Sequence, residues 1–255
     1  IKNTALGFKA GFTGQFIEDE LHKEGIQTQF VNVDGITRIN VFTQVVSTSE
    51  EFKLVNQGPS VSQLQEEALL KIIENMNTED FLFVSGSHPE GITYTTYEKI
   101  AKAAQLRRFK LILDTSADFV PDLLKYRPYL IKPNDEELAE WFGLINPSLE
   151  EIKDCGQKLL EKGAENVLVS LGEKGAILFT PTETIHVTAP KGEVVNTACA
   201  GDTLLATFVG SQLLGLSDEQ ALIKAVAAGS STAFRPGLTD FSDVPTLMQQ
   251  IKRIS

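Results

Sequence analysis

Apolar and polar positions along this 255-residue chain change rhythm near residue 60. Before that point the pattern is mixed β and turn. Ala5-Leu6-Gly7-Phe8 predicts a short strand ending in Gly11-Phe12-Thr13-Gly14, and Phe16, Ile17 and Leu21 mark a helix that stops near Gly25. Phe30-Val31-Asn32-Val33, Arg38-Ile39-Asn40-Val41-Phe42 and Phe52-Lys53-Leu54-Val55 alternate apolar with polar residues. That alternation predicts a small antiparallel sheet with one solvated face, closed by Gln57-Gly58-Pro59-Ser60.

Beyond residue 60, helical patterns alternate with short apolar runs. Leu69, Ile72, Ile73 and Met76 mark a helix, and Phe81-Leu82-Phe83-Val84 reads as a strand covered on both faces. Helices over 94–106, 118–126, 135–143 and 149–162 follow, interleaved with strands at Leu111–Leu113, Tyr129–Ile131 and Val167–Val169. Ala176-Ile177-Leu178-Phe179 is the hairpin partner of the last of these, and helices from 202, 218 and 243 close the chain. This order predicts an α/β fold with a mostly parallel sheet. Each core strand ends in small or polar residues: Ser85-Gly86-Ser87, Asp114-Thr115-Ser116, Lys132-Pro133-Asn134 and Ser170-Leu171-Gly172. Ligands of open α/β sheets bind beyond the carboxyl ends of the strands, so four such ends in succession point to a site.

The stretch Asn196-Thr197-Ala198-Cys199-Ala200-Gly201-Asp202 stands before a helix with Leu205, Phe208, Val209 and Leu213 on one face. Small residues let a ligand approach the backbone, and the first N–H groups of a helix suit an anion. Asp202 is then either a general base or simply the helix cap.

Composition narrows the classes. A net charge of −11 argues against nucleic acid or an anionic membrane as the main partner. No apolar run approaches the length of a membrane span, and no signal-peptide pattern opens the chain. Two cysteines, Cys155 and Cys199, make no disulfide framework, so a cytoplasmic location is expected. There is no G-x-x-x-x-G-K-[ST] loop, G-x-G-x-x-G turn or H-E-x-x-H motif, and the three histidines stand at no ligand spacing. Ser85 and Ser87 lack the G-x-S-x-G elbow of a nucleophilic serine.

The 196–202 stretch resembles the N-T-x-G-A-G-D signature of the PfkB branch of ribokinase-like sugar kinases. Gly11-Phe12-Thr13-Gly14, Thr37-Arg38-Ile39-Asn40-Val41, Gln57-Gly58-Pro59, Ser85–Gly91, Leu113–Ser116, Ile131–Asn134 and Val169–Gly172 follow in the family's order over nearly the whole chain. The T-R-I-N-V and G-F-T-G runs are most similar to 1-phosphofructokinases, with tagatose-6-phosphate kinases as close relatives.

The resemblance implies one ribokinase-like kinase domain over 1–255 with a β lid at about 30–56. It implies ATP-dependent phosphorylation of a phosphoketohexose, fructose 1-phosphate first and tagatose 6-phosphate as the alternative. A non-catalytic sugar-phosphate binder of the same fold is the reading from another class. Asp202 would be the catalytic base, with the N–H groups of Ala200, Gly201 and Asp202 as an anion hole. Arg38 would grip the phosphate already on the sugar, with Ser85 nearby, because a guanidinium can hold phosphate with two parallel bonds. Asn134, Ser170, Gly172, Gly175, Gly229 and Ser230 would face the nucleotide. Glu137 would serve Mg²⁺, through water. Lids pairing between two subunits are expected as well.

Two departures stand out. The family's opening strand, with its sugar-binding Asp and its G-G-K-G loop, has no counterpart here. An incomplete N-terminal end is the expectation, since the missing piece would be a core strand. Cys199 stands where the family usually has Gly; a small side chain that fits is the expectation, with an acidified, oxidation-sensitive thiol at the helix N-terminus as the alternative.

Overall fold

The computed structural model describes residues 1–45 and 50–254, which divide into two compact units. The first unit comprises 1–77 and 87–107; the second comprises 78–86 and the chain from 108 onward.

In the first unit, β1 (Thr4–Lys9) and β2 (Gln27–Asn32) run parallel, joined by α1 (Gly11–Lys23). β3 (Val41–Val45) and β4 (Glu50–Leu54) form a separate antiparallel hairpin. The predicted three-stranded sheet is therefore corrected. The 30–33 run belongs to β2 beside β1, and only 41–54 makes the hairpin; residues 46–49, inside the predicted lid, lie outside the described residues. Alternation gives a strand its faces but not its partner, which explains the error.

Gly11-Phe12-Thr13-Gly14 does not end the strand either: it is the first turn of α1. Its glycines serve a close approach. A Cβ on Gly11 would stand 2.8 Å from the Gly35 carbonyl, and one on Gly14 would stand 2.8 Å from Thr37 Oγ1. α2 (Gln63–Ile73) begins at a Ser62–Gln65 capping box, and its Glu66 carboxylate pairs at 3.0 Å with Lys99 of α3 (Tyr94–Arg107).

The second unit holds a seven-stranded sheet. β5 (Phe81–Ser85), β6 (Lys110–Asp114), β7 (Leu130–Ile131) and β8 (Val167–Ser170) are parallel neighbours. β9 (Ala176–Phe179), β10 (Thr184–Val187) and β11 (Arg253–Ile254) continue it antiparallel. β5 ends the sheet with Phe83 40% exposed, so it is not covered on both faces.

Strand alternation sets the layers. Ala176 and Leu178 pack with Leu205, Phe208 and Val209 of α7 (Ala200–Leu213) and with Leu222 and Val226 of α8 (Asp218–Ala233). Phe179 points the other way, against Gly156 of α6 (Leu149–Glu161), where any Cβ would stand 2.4 Å from its ring. The largest buried side chains include Ile112, Leu130, Ile131, Leu168 and Phe208, so the core lies on the sheet behind its polar strand ends. The remaining helices of this unit are α4 (Val120–Leu123), α5 (Asp135–Phe142) and α9 (Val244–Met248). Among the described residues, no helix is long and apolar enough to cross a membrane.

Candidate active site

Sheet register gathers the polar strand ends. Ser85 is the Cα partner of Asp114, and the Lys132 N–H donates to the Leu113 carbonyl at 3.0 Å. Asn134 bridges Ser170, whose N–H donates to the Pro133 carbonyl at 3.2 Å. The ends of four parallel strands thus share one edge, as the sequence pattern predicts.

At the start of α7, the Asn196 side chain accepts from the Ala198 N–H at 3.0 Å, and the Val195 and Asn196 N–H groups both donate to the Ala233 carbonyl. Cys199 then takes a left-handed conformation, φ 62°, and the helix begins at Ala200. Glycine reaches that conformation without steric cost, which is the physical reason a Gly suits this position. The Ala200 N–H is engaged at 3.3 Å by the Thr197 carbonyl, so it is not a free member of the predicted anion hole. Among the described residues, no backbone carbonyl accepts from Gly201 or Asp202. Asp202 sits at the third helical position, exposed, and the helix has no side-chain cap, so the capping reading does not hold.

The acidified-thiol alternative is not supported. Cys199 is exposed, yet its thiol is pushed up, first by partial desolvation, then by the Asp202 carboxylate. Desolvation and the neighbouring anion both disfavour the thiolate here.

Behind the helix start lies a buried ion pair. Lys132 Nζ is 2.9 Å from Asp114 Oδ1, with the two side chains 7% and 12% exposed. Burial raises the Asp114 pKa; Lys132 opposes this, and the Asp202 and Glu137 carboxylates add to it. A Cβ on Gly201 would stand 3.3 Å from Lys132 Nζ. Asp114, Lys132, Glu137, Gly201 and Asp202 therefore form one electrostatic cluster. Sequence reading saw Asp114 and Lys132 only as polar strand ends; nothing in their spacing announces the pair.

Glu137 and Asn134 cap α5 reciprocally: Asn134 Oδ1 accepts from the Glu137 N–H at 2.7 Å, and Glu137 Oε2 accepts from the Asn134 N–H at 3.0 Å. Among the described residues, no group of three His, Cys, Asp or Glu side chains is placed to hold a metal ion. The carboxylates suit a cation that keeps its waters, as Mg²⁺ does, rather than a cage of protein ligands.

In the β8–β9 loop, Gly172 is exposed at φ +55°, with open space where a Cβ would stand. Gly175 has φ +96°, and its Cβ would stand 1.9 Å from the Val187 carbonyl, so no other residue fits. Gly229 is buried and lets α8 approach α7, where a Cβ would lie 3.0 Å from the Ala200 carbonyl. Ser230, next along, is half-buried.

In the first unit, Arg38 donates to Ser87 Oγ at 2.7 Å, and among the described residues it makes no ion pair. Its neighbour Thr37 is fixed to the start of α1. Thr37 N–H donates to the Ala10 carbonyl at 3.0 Å, Thr37 Oγ1 accepts from the Ala10 N–H at 2.8 Å, and the Thr37 carbonyl accepts from Thr13 Oγ1 at 2.7 Å. The G-F-T-G and T-R-I-N-V runs are thus two halves of one contact, which the sequence shows only as separate motifs.

Residues 2–246 match the family model described as pfkB family carbohydrate kinase. The chain is 49% identical over 253 residues to a D-tagatose-1-phosphate kinase of Bacillus licheniformis, covering 99% of this chain and 82% of that protein. It is 37% identical over 252 residues to a 1-phosphofructokinase of Bacillus subtilis, with the same coverage of 99% and 82%. The crystal structure of phosphofructokinase-2 from Escherichia coli in complex with substrates and products has the same fold: TM-score 0.91 and 24% identity over 97% of this chain and 82% of that one. With strand ends, helix start and family model in agreement, this chain belongs to the pfkB family of carbohydrate kinases.

Proposed function

We propose that this protein transfers the γ-phosphoryl group of ATP to the 6-hydroxyl of a ketohexose 1-phosphate. Tagatose 1-phosphate is the first candidate and fructose 1-phosphate the second. The order rests on one observation: the D-tagatose-1-phosphate kinase is 49% identical and the 1-phosphofructokinase 37%. Both names place the existing phosphate at C1, which favours C1 over the tagatose 6-phosphate of the sequence-based alternative. The two sugars are epimers at C4, so discrimination falls to contacts with one hydroxyl.

In this reading, Asp202 accepts the proton of the attacking hydroxyl, and the Gly201 and Asp202 N–H groups receive the phosphoryl oxygens. Its exposed carboxylate and the free N–H groups beside it support these roles. Arg38, anchored through Thr37, grips the phosphate already on the sugar, and Ser85 closes the sugar side of the strand ends. Asn134, Ser170, Gly172, Gly175 and Ser230 face the nucleotide, while Gly229 keeps α8 close to α7. When bound, Mg²⁺ neutralises charge on the ATP phosphates, and Glu137 would hold it through water.

Residues 1–255 act as one kinase domain in this reading, with the 41–54 hairpin as the sugar lid. Val41, Phe52 and Leu54 on that hairpin are 45%, 57% and 62% exposed, which suits pairing with a second copy. A cytoplasmic enzyme acting on soluble metabolites is consistent with the chain's charge.

The test is ADP release with ATP and Mg²⁺, ranking tagatose 1-phosphate, fructose 1-phosphate, tagatose 6-phosphate and fructose 6-phosphate by kcat/KM. The first or second leading is expected. A 6-phosphate leading would overturn the C1 assignment, and no turnover in a folded, ATP-binding protein would favour the non-catalytic reading.

A further inference from the structure

α8 changes character in its last turn. Its buried face is apolar through Ala221, Ala225, Val226 and Ala228, and then turns to Ser231 and Thr232, which are 0% and 1% exposed. An alanine would fill either place without a polar atom to satisfy. A buried hydroxyl is tolerated only with a hydrogen-bond partner, and a fully bonded network fixes one arrangement where apolar packing would allow several.

The bonds here form one directed chain. Asp243 Oδ1 accepts from Ser231 Oγ at 2.5 Å. That commits the single Ser231 proton, so Thr239 Oγ1, 2.6 Å away, donates to Ser231. The Thr239 N–H donates to Thr232 Oγ1 at 3.3 Å, and Thr232 Oγ1 donates to Thr203 Oγ1 at 3.1 Å. One end of the chain is therefore the Asp243 carboxylate, whose Oδ2 lies 3.1 Å from the Arg235 guanidinium. The other end is Thr203, the residue after Asp202 in the first turn of α7, whose N–H donates to the Cys199 carbonyl at 2.9 Å. Ala233, beside Thr232, already accepts from the Val195 and Asn196 N–H groups. The last turn of α8 thus grips the stretch on both sides of Gly201 and Asp202.

We infer that Thr232 and Arg235 are positioning residues for phosphoryl transfer: Arg235 fixes Asp243, Asp243 sets the direction of the hydroxyl chain, and Thr232 at its end holds Thr203 and the adjacent Asp202 in the orientation that transfer needs. The inference rests on the kinase reading above. Both residues act through Thr203, not through contact with substrate. Phosphoryl transfer depends mainly on alignment and charge stabilisation, and a misplacement of about 1 Å can cost about 100-fold. A brace behind the helix start is therefore felt in the rate before it is felt in binding.

The experiment compares Thr232→Val, which keeps the shape and loses the hydroxyl, with Thr232→Ser, which keeps the hydroxyl. Thr232→Val is expected to lower kcat by about tenfold to 100-fold, with KM for ATP and for the sugar phosphate each within about threefold of wild type. Thr232→Ser is expected to stay within about threefold of wild type in kcat. Amide exchange supplies a readout that general loosening would not give: the Thr203 N–H should exchange faster in Thr232→Val while amides inside α8 keep their protection. At the outer end of the chain, Arg235→Ala should lose kcat likewise and recover it in millimolar guanidinium chloride but not in sodium chloride, because the Arg235 side chain is 27% exposed and its place is open to solvent. A Thr232→Val enzyme within about threefold of wild type in kcat, or one with unchanged Thr203 exchange, would overturn the assignment while leaving the kinase reading intact. Wild-type protein without turnover would overturn both. Should Thr232→Val not fold, Arg235→Ala carries the test: recovery by guanidinium upholds the chain, and a kcat that never fell, or that guanidinium does not restore, refutes it.

Discussion

The Asp202 carboxylate stands three residues on from Cys199 in the same helix start, close enough for its charge to act on the thiol. That carboxylate favours the protonated thiol, as does desolvation, which is the largest influence. Cys199 should therefore alkylate slowly at neutral pH, with a reaction midpoint above that of a free thiol. Asp202→Asn removes the charge, so the midpoint should move down and iodoacetamide labelling at pH 7.5 should speed up. Cys155 is buried and its thiol is also raised, so it contributes little background. Labelling rates that are identical in the two proteins would show that the carboxylate does not govern the thiol.

The same substitution tests the base. Asp202→Asn keeps the size and position of the side chain but cannot accept the hydroxyl proton. A positioned general base contributes about 100- to 10,000-fold, so kcat should fall by that order while sugar-phosphate and ADP binding persist. Isothermal titration of both ligands alongside steady-state kinetics separates this from unfolding. A variant that turns over within tenfold of wild type would remove Asp202 from the role.

Most of the second unit was legible because its strands are short apolar runs with polar ends, and α5, α6 and α8 each open on a capping box. The first unit was less so. Gly11 and Gly14 read as the end of the first strand because glycine usually marks such a boundary; here they open a helix and clear space for Gly35 and Thr37, a contact 20 or more residues distant. β10 left no clear signal, since Thr184-Ile185-His186-Val187 is short and holds a buried polar residue. In the site, the anion-binding stretch and Asp202 were visible as a motif. The Lys132–Asp114 pair was not, because an ion pair across two parallel strands depends on register rather than on spacing.

His186 gives the fold an acid limit. It is buried on β10, and neither ring nitrogen has a hydrogen-bond partner of ordinary geometry. Burial lowers its pKa below the ordinary 6.5; the Lys174 backbone opposes this, and the Lys153 charge adds to the lowering. The unfolded chain therefore takes the proton first. Stability tied to this ring is present above pH 6.5 and is lost as pH falls from there toward the lowered value. His186→Leu should flatten this part of the curve. Thermal midpoints measured from pH 7.5 to 5 should drop more steeply in wild type than in the variant, and parallel curves would assign the acid sensitivity elsewhere.

Gly14 reaches Arg38 through Thr37. A Cβ on Gly14 would stand 2.8 Å from Thr37 Oγ1 and 3.0 Å from Lys9 Cβ. Thr37 Oγ1 cannot step aside freely, because it accepts from the Ala10 N–H and its own carbonyl accepts from Thr13. Gly14→Ala, which would ordinarily strengthen a helix, should here displace Thr37 and with it Arg38. If Arg38 grips the sugar's phosphate, KM for the sugar phosphate should rise roughly tenfold or more, the worth of a weakened charged hydrogen bond, with KM for ATP unchanged. Arg38→Lys should show the same selective rise, because an ammonium cannot reproduce the bidentate grip. Steady-state kinetics with each substrate varied in turn distinguishes the cases. Equal rises in both KM values would mean that the loop supports the fold at large, and no rise in either would release Arg38 from the phosphate.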